Sequence, residues 1–423
     1  MKKIICVIMA VTIMCGLCSC SKRNIGQEGL SKNVKKISDD VNVETVNTTS
    51  TEADSVEGFA DFMLELFKNN IEDGENCMIS PLSVITAMAM TTNGAKGNTL
   101  SQMLSVLSGG KIDNLDTFNN ELAYYTSNLT SGKKDVISIA NSLWIKDNED
   151  MIIPKEEFLT ANGMYYNAEI YKAPFDNTTI SDINFWVSDK TKDRIKEIIT
   201  ELSDETVMCL INAISFDGEW VTPFEYSDVG DGVFTKADNT EQNVKMMHSS
   251  EHYYIKDENA TGFIKSYKDG FDFVAILPNE GVSVEEYIAG IDGKDFVEMI
   301  KNPVTDRPVR ISLPKFSHEY SVTMNEILMN MGISDAFSAD KADFSGMYSY
   351  LGYESLYIGE VIHKTFIEVD ELGTKAAAAT EVIMECGTSM EKEYYVYLDR
   401  PFVYAITDSE TGLPVFIGVV NAI

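Results

Sequence analysis

Four histidines, three tryptophans and ten prolines are all that 423 residues contain of those types, and 34 lysines and arginines face 66 aspartates and glutamates. His248, His252, His318 and His363 fall at no metal-ligating spacing. There is no Gly-x-Ser-x-Gly elbow, and Gly94-Ala95-Lys96-Gly97-Asn98-Thr99 lacks the spacing of a phosphate loop. Among so many carboxylates no pair stands out. Hydrolase and nucleotide chemistry are therefore disfavoured, and no cofactor and no metal are expected. The shortage of basic residues leaves a formal net charge of −32. That balance disfavours nucleic acid and anionic membrane surfaces and favours solubility. Beyond the N-terminus no segment is long and apolar enough to cross a bilayer. Of seven cysteines, four lie in the first twenty residues, and none of the others shows metal-type spacing. Cys77 and Cys209 sit in apolar runs and read as buried free thiols.

What is present begins with a targeting segment. Lys2 and Lys3 precede an apolar run over 4–17, too short for a comfortable span. The run ends in Leu17-Cys18-Ser19-Cys20, which resembles the lipobox of bacterial lipoproteins, with Cys20 as the lipidated residue. An ordinary secretory peptide with incidental cysteines is the alternative. Residues 1–19 are thus expected to be removed, and 20–55, rich in Ser, Thr, Asn and Asp, to form a flexible stalk. The protein is expected outside the cytoplasm, anchored by lipid to a bacterial membrane or cell surface, or else secreted. Its only membrane contact would be that lipid, and it is expected to be a monomer.

Residues 56–423 read as one domain, and a hydrophobic content of 44% supports a sizeable core. Phe59, Phe62, Met63, Leu66 and Phe67 recur at the spacing of one helix face. Pro81 opens a second helix, and further helices are expected over 184–199 and 325–331. Stretches 136–144, 207–216, 271–277, 309–313 and 415–420 read as buried strands. Without a regular βαβ rhythm the class is α+β.

Several segments together resemble the serpin family of protease inhibitors. They are Asn76-Cys77-Met78-Ile79-Ser80-Pro81-Leu82-Ser83, Asn184-Phe185-Trp186-Val187, Leu210-Ile211-Asn212-Ala213 with Trp220, Leu313-Pro314-Lys315-Phe316, Asp399-Arg400-Pro401-Phe402 and Gly418-Val419-Val420-Asn421. The resemblance implies the serpin fold, with three β-sheets, about eight to nine helices and an exposed reactive-centre loop over about 371–398. It implies an inhibitor rather than an enzyme, with a target serine protease, or a cysteine protease, as partner. It also implies that Ser80, Ser83, Asn212 and His363 form a cluster controlling expansion of the central sheet, with Trp220 at the top of the opening.

Asp370-Glu371-Leu372-Gly373-Thr374-Lys375-Ala376-Ala377-Ala378-Ala379-Thr380 resembles the proximal hinge of an inhibitory serpin, with Glu371, Gly373, Thr374, Ala376, Ala378 and Thr380 at the functional positions. After the loop is cut, its first part would enter the central sheet as a new strand. Alternate residues permit this. Thr374, Ala376, Ala378, Thr380, Val382 and Met384 carry no charge, while Lys375, Glu381 and Glu385 fall in the other set. Lys375, where an acidic residue is more usual, therefore lies on the tolerant face. No proline interrupts 371–390, so every N–H can join a ladder. Taken alone, the alanine run reads as helix; before Asp399-Arg400-Pro401-Phe402 it reads as hinge.

Two registers place the cut differently. Counting from Gly373 gives Gly387-Thr388; counting back from Pro401 gives Met390-Glu391; Cys386 is a neighbouring choice. Insertion depth is set from the hinge, which favours Gly387. Residues 376–391 hold no Lys or Arg, so trypsin-like targets are unexpected and elastase-like ones fit the small and apolar residues. Cys386 is either a redox-sensitive position or plain loop. A non-inhibitory serpin acting as a binding module is the competing reading.

Overall fold

The structure is a computed structural model and describes residues 29–38, 52–133, 136–374 and 392–423. The leader with Cys20, the loop positions Lys375, Ala376, Ala378 and Thr380, and the candidate cleavage residues Cys386, Gly387, Thr388, Met390 and Glu391 lie outside the described residues.

Nine α-helices occur among the described residues. They are α1 (Ala53–Lys68), α2 (Pro81–Thr92), α3 (Gly97–Leu107), α4 (Leu115–Thr130), α5 (Glu156–Tyr166), α6 (Asn177–Lys190), α7 (Val284–Ala289), α8 (Gly293–Lys301) and α9 (Asn325–Asn330). The apolar face read in α1 is buried throughout, with Phe59, Phe62, Met63, Leu66 and Phe67 at most 2% exposed. Ser80 caps α2, accepting the Ser83 N–H, and Pro81 follows at the first helical position. Nearly every residue of α2 is buried, as expected of a helix that is apolar all round. The helix expected over 184–199 is placed differently: α6 starts earlier, where Asp176 accepts the N–H groups of Thr178 and Thr179, and stops at Lys190. Lys192 and Asp193 then take positive φ, which ends the helix before 199.

One sheet runs β10 (Tyr253–Lys256), β11 (Ala260–Ser266), β12 (Phe271–Pro278), β19 (Phe402–Asp408), β20 (Pro414–Val420) and β2 (Cys77–Ile79). A second runs β18 (Tyr394–Tyr397), β13 (Val309–Pro314), β9 (Glu241–Glu251) and β8 (Val229–Thr235). A small pair joins β15 (Tyr348–Leu351) to β4 (Ile152–Pro154). The third large sheet comes in two halves. One is β1 (Lys35–Lys36), β5 (Glu169–Ala173), β3 (Ile137–Lys146) and β6 (Met208–Phe216). The other is β14 (Phe316–Thr323), β16 (Ile362–Val369), β17 (Gly373–Thr374) and β7 (Gly218–Glu219). Because β7 follows β6 after a single residue, the halves meet at that end and part below it. The strands expected from buried apolar runs are β3, β6, β12, β13 and β20. The fold is α+β, with three main sheets, one large core cluster and a second, smaller one between α6 and the β5-β3-β6 strands.

Part of the expected stalk is folded. Lys35 and Lys36 pair with Lys172 and Tyr171 on β5 and make β1 the edge of that sheet, and Leu30 is buried against α6. The Ser31 N–H donates to Asp182 Oδ1 at 2.9 Å. Gly29 sits at φ +82° with the Phe185 ring so close that a Cβ would fall 2.4 Å from it. Leu30, Val34 and Ile37 are the apolar residues that dock, and the polar composition around them hid the signal.

Candidate functional site

At the joined end of the split sheet, β16 reverses into β17 through a tight turn. The Asp370 N–H donates to the Gly373 carbonyl at 2.9 Å, and Asp370 Oδ1 accepts from Leu372 N at 2.8 Å and Gly373 N at 3.2 Å. This is the local bond pattern for which aspartate is suited. Gly373 has φ +155°, and a Cβ there would stand 2.0 Å from the Gly218 carbonyl oxygen, so only glycine fits. Thr374 then lies between two strands, opposite Val369 on one side and Gly218 on the other, antiparallel to both.

Aromatic residues hold the turn. Trp220 donates its N–H to Leu372 O at 2.9 Å and its indole N–H to Asp370 O at 3.0 Å, while Phe224 N donates to Glu371 O at 2.9 Å. Trp220 is fully buried and stacks on Tyr267, centroids 4.2 Å apart at 12°. The Tyr267 and Thr374 hydroxyls are 2.5 Å apart, and Thr374 is 4% exposed. Lys265, almost wholly buried, lies over the Phe224 ring and pairs with Glu251 at 2.6 Å. Burial pushes the Lys265 ammonium below its ordinary value, and Glu251 opposes that shift. Lys315 reaches Glu371 at 2.7 Å. Burial, the largest single effect, would raise the Glu371 carboxyl, but the Lys315 hydrogen bond, a backbone hydrogen bond and the Lys315 charge together hold the group below the usual range.

The floor of the split is polar. His363 Nε2 accepts the Ser80 N–H at 2.9 Å, so the imidazole carries its proton on Nδ1. Burial holds it down to about 4. The Ser80 hydroxyl donates to Val415 O at 2.8 Å, and the Ser83 hydroxyl donates to Asn212 Oδ1. Asn212 passes the chain on to Asn141 at 2.7 Å, and Asn141 to the Tyr166 carbonyl at 2.8 Å. Thr365 donates to Met78 O at 2.8 Å. The network thus ties β16, α2, β6, β3 and α5 together.

Between these ends no ladder joins β6 to β16 among the described residues. A cavity of about 140 Å³ lies there, lined by β6, the segment leading into β16, α2 and residues near Ile195–Leu202, and it is mostly apolar. Ser83, Asn212 and His363 border it. Among the described residues lining it, no nucleophile is hydrogen-bonded to a base: Ser83 donates to Asn212, and His363 accepts a backbone N–H. Cys209, also on its wall, is a buried thiol pushed up to about 12, which removes it as a nucleophile. The walls of the cavity include the facing borders of β6 and β16, and its volume and apolar lining are what the arrangement offers to a ligand or a further segment of chain.

The structure brings Ser80, Ser83, Asn212 and His363 together at the floor and Trp220, Glu371, Gly373 and Thr374 at the top. Sequence reasoning missed Tyr267 and Lys315 as partners of the hinge, and Lys265 behind the rings that hold it. Lys315 was visible inside Leu313-Pro314-Lys315-Phe316, but its partner was not. Tyr267 lies before a turn, 107 residues from Thr374, and carried no local signal.

Comparison with known proteins agrees with this geometry. A family model described as Serpin (serine protease inhibitor) matches residues 57–423. An uncharacterised serpin-like protein of Thermococcus kodakarensis is 31% identical over 84% of this chain and 83% of its own length. Leukocyte elastase inhibitor A of Mus musculus is 31% identical over 84% of this chain and 96% of its own. Among solved structures, the thermophilic serpin tengpin in its native state is 44% identical with a TM-score of 0.86, covering 92% of this chain and 100% of tengpin. Thyroxine-binding globulin in complex with thyroxine is 27% identical with a TM-score of 0.74, covering 87% and 98%.

Proposed function

The chain belongs to the serpin family, typically inhibitors of serine proteases and not themselves enzymes, and from that premise we propose that it traps elastase-like serine proteases by loop cleavage and strand insertion. One observation carries the reading: Thr374 is already paired on both sides, and Gly373 with Glu219, at the mouth of a sheet whose halves share no ladder below them among the described residues. Continued in the same register after cleavage, Ala376 would fall between Ile367 and Phe216, Ala378 between Thr365 and Ile214, and Thr380 between His363 and Asn212. Val369, Ile367, Thr365 and His363 are the buried positions of β16. The small uncharged set of the loop would therefore face inward, and Lys375 outward. Roughly a dozen new ladder bonds at ~0.5–1.5 kcal/mol each amount to a gain on the order of 10 kcal/mol. That is comparable with the whole stability of many domains and enough to distort a tethered protease.

Trapping needs an acyl-enzyme, which serine and cysteine proteases form. The absence of Lys and Arg over 376–391 favours cleavage after a small or apolar residue, with Gly387-Thr388 set by the hinge register. Lipidation at Cys20 would place the inhibitor at a membrane surface. The likeness to thyroxine-binding globulin keeps a binding module as the second reading. Incubation with an elastase-like protease should give a complex that survives a denaturing gel, and the C-terminal peptide released on acylation should begin, by mass spectrometry, at Thr388 or a neighbouring residue. A loop that is cut with no complex and no rise in melting temperature would decide for the binding module.

A further inference from the structure

Two hydroxyls 2.5 Å apart, both buried, join a turn residue of one sheet to the first inserted residue of another. We propose that Tyr267 is a positioning residue that latches Thr374 as the first rung of insertion, so that the strand starts from a fixed register instead of searching for one. The proposal deepens the inhibitory reading and rests on it.

Tyr267 is itself immobilised. Its ring stacks on Trp220 at 4.2 Å and meets Phe216 edge-on at 5.1 Å. Its N–H donates to Phe271 O at 2.9 Å, closing the turn that carries it. Gly218 gives the ring its space, since a Cβ there would stand 2.7 Å from the Tyr267 ring. A hydroxyl held this firmly offers Thr374 one position. The burial of both groups makes the pairing obligatory, because an unpartnered hydroxyl in that environment is costly. Trp220 completes the device by binding the turn carbonyls while stacking on Tyr267. The seat therefore fixes the side chain and the backbone of the hinge together. Insertion competes with hydrolysis of the acyl-enzyme. A pre-registered first rung shortens the time to insertion and lowers the number of inhibitor molecules spent per protease trapped.

Tyr267→Phe removes one oxygen and keeps the ring. Thr374→Val removes the other, and Thr374→Ser keeps it. Two readouts separate the claims. Amide hydrogen exchange over 370–374 in the uncut protein reports the latch, and the expected result is about tenfold faster exchange in Tyr267→Phe and in Thr374→Val, no further gain in the double variant, and wild-type exchange in Thr374→Ser. Unchanged exchange in Tyr267→Phe, or additive effects in the double variant, overturns the latch. The stoichiometry of inhibition reports its consequence: it should rise several-fold in the same two variants, with an unchanged second-order rate of loop attack. Faster exchange with unchanged stoichiometry overturns the role in trapping. If the wild type traps no protease at all, the inhibitory reading and the role in trapping fall together, and the exchange data still decide the latch.

Discussion

At the top of the parted sheet large rings do the holding, with Trp220, Tyr267 and Phe224 closing on a two-residue strand; at the floor small polar groups do it, through His363, Ser80, Ser83, Asn212 and Asn141. The top grips the segment that would move in the proposed insertion. The floor ties strands that must separate before anything can pass between them. Changes at the top should therefore alter what happens after cleavage, and changes at the floor should alter how long the uncut form lasts.

The largest effect should come from Thr374→Arg. A guanidinium cannot occupy a position 4% exposed between Val369 and Gly218 and facing the Tyr267 hydroxyl. The variant should fold and be cut at the wild-type rate, yet its stoichiometry of inhibition should rise at least about tenfold; persistent trapping would erase the contrast between top and floor. Next comes the floor histidine. Burial depresses His363 from 6.5 to about 4. The unfolded chain therefore takes up that proton first, and the contribution to stability is full above pH 6.5 and is lost as pH falls through about 4. The linked loss is roughly 3 kcal/mol. Urea midpoints at pH 7 and pH 4.5 should show it, and His363→Gln, which still offers an acceptor to the Ser80 N–H, should flatten the difference. Asn212→Ala strands the Ser83 hydroxyl and should cost about 1–3 kcal/mol, read as an earlier thermal transition with unchanged stoichiometry of inhibition. Glu371→Gln should be smallest. Its partner Lys315 is partly exposed, and about 0.5–1 kcal/mol is expected.

The sequence made the rigid parts legible and the junctions obscure. Strands β6, β12 and β20 are buried along their length, so continuous apolar runs marked them. The reach of α6 was misjudged because its end depends on two left-handed residues, Lys192 and Asp193, of types that give no warning. The docked segment 29–38 was diluted by polar neighbours. The hinge residues could be named from their pattern, but their seating between β16 and β7 depends on Tyr267 and Trp220, contributed by distant stretches. That the sheet is parted at all depends on pairing that does not form, and no local pattern encodes a missing ladder.

The facing borders of β6 and β16, which no ladder joins among the described residues, have a cost of their own. Backbone donors and acceptors along such borders do not distinguish the molecule's own strand from one offered by a neighbour. At high concentration or on warming, one molecule's loop could dock in the next molecule's gap, and because the donor and acceptor surfaces differ, that linkage need not close on itself. A feature that would let the fold trap a protease would thus also favour chain-wise association.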